Sequence, residues 1–325
     1  MKFTRRQFLQ LTAAIAASPA ASRVAWTQTY PSRYVRLVVP FAAGGGGDAI
    51  ARPLANRLSE MWAQQVVIEN RGGGGGNVGA QAVAQSAPDG YTILLGGGVN
   101  LATNPFLYPS IYNPADDLAP VTLVTIIPNL MMVPNSLPAR SVREFIDYAK
   151  ANRGKITFAS TGIGASPHLS GELFKRKAGI EMTHVPYRGA GVAMNDLIPG
   201  RVDIMFSNLP GVLSQHQSGT IRGLAVTSAK RSPAAPEIPT IDETVPGYEV
   251  SGWWGLFVQA KTPRQIVAKL HSDAVAALEH PSVRQRYDAL GAPVTPSTPA
   301  ELAQRLASET EKWGPIINEL GIKPD

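Results

Sequence analysis

Four glycines in a row, residues 44 to 47, follow the apolar run 35–39 and the segment Pro40-Phe41-Ala42-Ala43, and Asp48 closes them. The chemistry open to such a stretch is anion binding. Glycines let the backbone approach a ligand closely. The unpaired N–H groups at a helix N-terminus, with the helix dipole behind them, favour negative charge. The plan recurs. Glycines 72–76 follow the apolar run 65–69 and lead into Asn77, and Gly96-Gly97-Gly98 follow 91–95 and lead into Val99-Asn100. A further polar loop, Ser160-Thr161-Gly162-Ile163-Gly164-Ala165, precedes Ser166-Pro167-His168. Tyr187-Arg188-Gly189 adds a guanidinium suited to bidentate contact with a carboxylate, or simply to solvation at the surface.

Other chemistries find less support. No G-x-S-x-G, S-x-x-K or H-E-x-x-H occurs, which argues against a nucleophilic hydrolase or a zinc protease. The five histidines, 168, 184, 216, 271 and 280, lack metal-ligand spacing, so no metal is expected. His168, in the first turn of a helix, reads as a partner for ligand or backbone rather than a base, and His184 as structural. Asp203 reads either as a ligand contact or as a structural acceptor beneath a loop. Trp253-Trp254 reads as hinge and core packing. The sharpest rival is a dinucleotide site. Gly74-Gly75-Gly76-Asn77-Val78-Gly79 matches G-x-G-x-x-G, and Glu69 stands where a ribose-binding acid would lie. A run of five glycines meets many spacings by accident, and the first loop is longer than a tight dinucleotide turn. An exported Rossmann-type oxidoreductase with a bound nicotinamide cofactor is therefore the alternative reading, and no cofactor is the leading one.

Thr4-Arg5-Arg6-Gln7-Phe8-Leu9-Gln10 fits a twin-arginine export signal, followed by an alanine-rich apolar segment too short to span a bilayer. Removing residues 1–28 leaves 26 basic against 24 acidic residues, a net charge of +2. The basic balance of the whole chain then says little, and nucleic-acid binding loses its support. With no cysteine there is no disulfide, thiol nucleophile or lipobox. The chain reads as a periplasmic protein exported with its signal removed, not embedded in the membrane.

From Tyr34 onward, strand and helix patterns alternate, the signature of a doubly wound α/β fold. Strands are expected at 35–39, 65–69 and 91–95. All three end in glycine clusters, which places the clusters at the carboxyl edge of one sheet, where open α/β sheets bind ligands. A helix over 48–64 should start late or kink at Pro53. Asn77 and Ser166 are placed to cap helices, and Ser141/Glu144, Thr262/Gln265 and Thr298/Glu301 form capping boxes. A β-rich run over 121–133 reads as the crossing into a second domain, and 252–258 as the strand returning. Two helices close the chain.

The segments Val38-Val39-Pro40-Phe41-Ala42-Ala43-Gly44-Gly45 with Asp48, Val67-Ile68-Glu69-Asn70-Arg71-Gly72-Gly73 to Gly79, Pro88-Asp89-Gly90-Tyr91-Thr92, His184-Val185-Pro186-Tyr187-Arg188-Gly189 and Gly200-Arg201-Val202-Asp203 resemble, in order and spacing, the Bug family of solute receptors of tripartite tricarboxylate transporters. The resemblance covers the whole mature chain. It implies a type II periplasmic binding protein: two doubly wound α/β lobes joined by two strand crossings and closing on an organic carboxylate. Lobe 1 would be 30–126 with 254–325, and lobe 2 would be 127–253. Carried over, the ligand contacts are Phe41, Ala43, Gly44, Gly45, Gly46, Gly47, Asp48, Asn77, Gly98, Val99, Ser160, Thr161, Gly162, Ser166, His168, Tyr187, Arg188, Gly189 and Asp203. The partners implied are a small organic carboxylate, a di- or tricarboxylate or an aromatic acid, and membrane transporter subunits or a sensor kinase. A monomer and no enzymatic activity are expected.

Overall fold

The computed structural model describes residues 30–41, 43, 46–108, 112–187, 189–319 and 321–323. The expected export signal, 1–28, lies outside these residues, as do Gly44, Gly45 and Arg188.

The first strand, β1 (Val35–Val39), is buried along nearly its whole length, as a central parallel strand must be. Helix α1 (Gly46–Trp62) covers it with Ile50, Ala51, Leu54, Ala55 and Leu58, one apolar stripe at helical spacing. This helix starts two residues before the expected position and runs on through Pro53. Strand β2 (Val66–Asn70), helix α2 (Asn77–Ala84) and strand β3 (Thr92–Gly97) follow. β1 pairs in parallel with both β2 and β3, so the three glycine-bearing strand ends do share one sheet edge.

The β-rich run is one strand, β4 (Leu118–Val133), sixteen residues long. Then come α3 (Val142–Ala151), β5 (Thr157–Ser160), α4 (Ser166–Ala178), β6 (Thr183–Pro186), α5 (Ala190–Leu197), β7 (Ile204–Asn208) and β8 (Arg222–Val226). Strand β9 (Ser251–Gln259) returns, and α6 (Arg264–Glu279), α7 (Pro281–Ala289) and α8 (Pro299–Glu319) end the order. Three helices thus close the chain, not two, because His280-Pro281 breaks a helix and starts a new one.

The sheet runs β2-β1-β3-β9-β4-β7-β5-β6, with β8 also beside β4. β4 joins its two halves. Leu118 to Pro128 pair with β9, and from Asn129 onward the partners are β7 and β8. β5 is parallel to both β6 and β7, which gives the second half a carboxyl edge of its own at Ser160, Pro186 and Asn208. The cores follow this division. Val38, Leu94, Trp253, Phe257, Leu302 and Leu306 pack together on one side, and Phe145, Phe158, Phe174, Phe206 and Tyr248 on the other. Helix α8 belongs to both, because its Trp313 and Ile317 join the second cluster. No helix among the described residues is long and apolar enough to cross a membrane.

Candidate functional site

A crevice opens where the carboxyl edge of the first half meets that of the second. Phe41, Gly97, Gly98, Val99, Asn100 and Thr103 line it from one side, and Gly164, Ser166, Leu169 and Asn208 from the other. The start of β9 forms its floor, and Glu309 and Trp313 reach it from α8. Its free space is about 60 Å³. That is room for a few waters and far below the roughly 150 Å³ of a benzene-sized cavity.

On the first side, β3 runs into a π-helical turn, Val99–Thr103, an irregularity that frequently marks functional positions. The Oδ1 of Asn100 accepts from the Gly97 N–H at 2.9 Å and fixes the turn. Thr103 Oγ1 donates across the crevice to the Gly164 carbonyl at 3.1 Å. Phe41 packs edge-to-face on Trp254, with centroids 5.6 Å apart.

On the second side, Ser166 opens α4 as its first residue and does not cap it. Its hydroxyl is instead directed to Asn129 Oδ1 at 3.4 Å, where Asn208 Nδ2 also donates at 2.8 Å. Asn129 Nδ2 donates to Ser170 Oγ at 3.0 Å. Asn129, fully buried at the point where β4 changes partners, thus ties the end of β7 to α4.

Behind this wall lies a histidine pair. His168 is 4% exposed, and its ring stacks on His184 with centroids 3.8 Å apart. The Gly164 N–H donates to His168 Nδ1 at 3.0 Å, which leaves the ring proton on Nε2, towards Glu172. Ser160 Oγ lies 2.6 Å from His184 Nε2. Burial, then the fields of His184 and Lys175, push the His168 pKa down to about 3. Burial, then Lys175, lower His184 to about 4. In the unfolded chain both titrate near 6.5. Below that pH the unfolded state takes up protons that the folded state refuses, so stability is lost as pH falls from about 6.5 towards 3, by up to about 1.4 kcal/mol per pH unit for His168. The urea midpoint of the protein should therefore fall between pH 7 and 4.5, and His168→Gln should flatten that slope. A midpoint independent of pH in this window would contradict the assignment.

Of the residues expected at the site, Phe41, Gly98, Val99 and Ser166 line the crevice. Gly47 packs under it, with a Cβ position 2.9 Å from Trp254. Gly46, the first residue of α1, and Ala43 are both exposed and do not line it. Asp48 is buried and paired with Arg52 at 2.8 Å. Asn77 neither caps its helix nor lines the crevice, because its Oδ1 accepts from Asn104 and Tyr112. Ser160 ends β5 at the sheet edge, with Thr161 and Gly162 just beyond it, and is committed to His184. Tyr187 donates to Asp196 at 2.8 Å, and Gly189 precedes α5. Asp203 requires a correction. Its carboxylate accepts from both the N–H and the hydroxyl of Thr157, at the start of β5 and thus at the amino edge of the sheet. It is the structural acceptor of the two readings. The stretch matching the dinucleotide pattern is not a tight turn either. Gly73 to Gly76 all carry positive φ, and the carbonyls of Gly74 and Gly75 accept from Asn104. Asn100, Asn208, Glu309 and Trp313 had not been singled out. Adjacent tryptophans on a strand face opposite ways, and that spacing was the one available hint that Trp253 and Trp254 serve different surroundings.

The model of the tripartite tricarboxylate transporter family receptor matches residues 50–322. The chain belongs to this receptor family. The family member BugT of Bordetella pertussis is 36% identical over 96% of this chain and 95% of its own length. Among solved receptors, Rpa4515 of R. palustris, determined with adipate, superposes with a TM-score of 0.83 at 39% identity over 91% of this chain and all of its own. MatC of Rhodopseudomonas palustris, with bound malate, gives 0.79 at 33%, over 89% of this chain and all of its own. The periplasmic binding protein BugD gives 0.80 at 36%, over 91% of this chain and all of its own. The fold is accordingly the two-lobed type II periplasmic binding fold of these receptors, and family and neighbours alike are solute-binding receptors.

Proposed function

We propose that the protein is a periplasmic receptor that captures a small organic carboxylate between its two lobes and delivers it to a tripartite tricarboxylate-type transporter. The observation that carries this reading is the convergence of two kinds of N-terminus on one crevice. Gly98 and Val99, at the head of the π turn, and Ser166, at the head of α4, line the same space, and the first N–H groups of such an element lack partners within it. Such groups hold anions without a catalytic side chain. The dicarboxylates bound by the solved relatives support the same chemistry.

Lobe 1 as 30–126 with 254–325 and lobe 2 as 127–253 is part of the proposal, supported by the change of partners along β4 and by the two separate cores. The lobes part about the two strand crossings and close on the ligand. The twin-arginine leader would carry the chain out of the cytoplasm, and the closed monomer would meet the membrane subunits. The ligand contacts named from the sequence, Gly44, Gly45 and Arg188 included, belong to the proposal, with Asp203 withdrawn. A carboxylate at about 100 times its Kd should stabilise the folded state by roughly 2.7 kcal/mol, so a thermal-shift panel of organic acids should reveal the ligand class. Absence of any shift across the panel, or turnover of an acid by the pure protein, would overturn the reading.

A further inference from the structure

Main-chain N–H groups explain why the crevice takes an anion but not which one. Two side chains narrow the answer. Trp253 and Asn100 line the crevice, at 1% and 0% exposure, and the buried indole N–H of the one and amide nitrogen of the other have no hydrogen-bond partner among the described residues. Buried donors are seldom left unpaired. The orientation of Asn100 is not open to reversal: its Oδ1 must face the Gly97 N–H, which turns the amide nitrogen the other way. The Trp253 nitrogen stands against Gly98, only 3.0 Å from where a Cβ there would be. Both donors suit an acceptor such as a carboxylate.

The remaining wall is largely aromatic, built from Phe41, Trp254 and Trp313, with Phe41 edge-on to Trp254. The one charged side chain among its described residues is Glu309, and that charge is negative. Trp313 Nε1 holds its Oε2 at 2.8 Å, which fixes the carboxylate at the edge of the crevice. An acid with a single carboxylate meets two donors at one end and aromatic faces along its body. A second carboxylate would meet Glu309.

Resting on the receptor reading above, we propose that the site selects a monocarboxylic acid with an apolar body, its carboxylate held by Trp253 and Asn100, and that Glu309 rejects diacids. Calorimetric titration of benzoate, adipate and malate into the wild type, Trp253→Phe and Glu309→Gln tests it. Wild type should bind benzoate at least about tenfold more tightly than either diacid, and Trp253→Phe should weaken benzoate by about tenfold. Glu309→Gln, on the half-buried face of a helix, should tighten adipate relative to benzoate by about tenfold. It keeps the proposal open to refutation should Trp253→Phe fail to fold. Tighter binding of adipate or malate than benzoate by the wild type, or an unchanged ratio in Glu309→Gln, would overturn the selectivity and leave the receptor reading standing. No binding of any of the three acids, with no response in the wider thermal-shift panel, would remove both.

Discussion

Gly171→Ala lowers the unfolding midpoint of this receptor, although alanine is the better helix former. Gly171 lies inside α4, where alanine over glycine would gain up to about 1 kcal/mol of helix propensity. A Cβ there would stand 2.2, 2.5 and 2.8 Å from three ring atoms of Phe158. That ring is fully buried and cannot retreat, because His184 stacks on it at 4.7 Å and Phe206 packs at its edge. Overpacking of such a core costs about 1–3 kcal/mol, and contacts this short put Gly171 at or beyond the upper end. The net loss should be about 2 kcal/mol for alanine and larger for valine. Urea unfolding at neutral pH checks it, and an alanine variant as stable as the wild type would show that α4 can shift away from the sheet.

Gly98→Ala should do the opposite: keep the fold and lose the ligand. The backbone of Gly98 is right-handed helical, with φ of −53°, so alanine fits it without strain. Its methyl would meet the Trp253 indole nitrogen at 3.0 Å and cover the N–H that we assign to the ligand carboxylate. A hydrogen bond to a charged group contributes about 1.5–3 kcal/mol, so affinity should fall by roughly 10- to 150-fold while the melting temperature stays within about 2 °C. Circular dichroism melts beside titration with the bound acid separate the two effects. Unchanged affinity would mean that the indole nitrogen does not face the ligand.

The alternation of strand, glycine loop and helix was legible because each signal is local. β1 and β3 announce themselves as short apolar runs, and the glycines that follow mark the sheet edge. The capping boxes at Ser141/Glu144 and Thr298/Glu301 were read correctly for the same reason, since every partner lies within a few residues. The failures have a common cause. Asn77 and Ser166 look like caps in sequence, yet Asn104, Tyr112 and Asn129 claim their side chains from 27 to 37 residues away. Thr262 likewise caps nothing. Asp203 was drawn to the ligand by its place in a motif, whereas its geometry ties it to Thr157 at the far edge. Glu309 and Trp313 could not be foreseen, because nothing along α8 reveals that its second half crosses to the other core and passes the crevice on the way.

That crossing has a practical consequence. Trp253, Trp254 and Trp313, three of the five tryptophans in the chain, surround the ligand space. Much of the ultraviolet emission from the unlabelled molecule therefore arises beside the crevice, where the proposed lobe movement would change polarity and quenching. Glu309 is bonded to one of these indoles, and two tryptophans sit on the floor strand and one on the last helix, so single replacements by phenylalanine would separate the optical signatures of floor and helix. The receptor carries its own built-in optical probe.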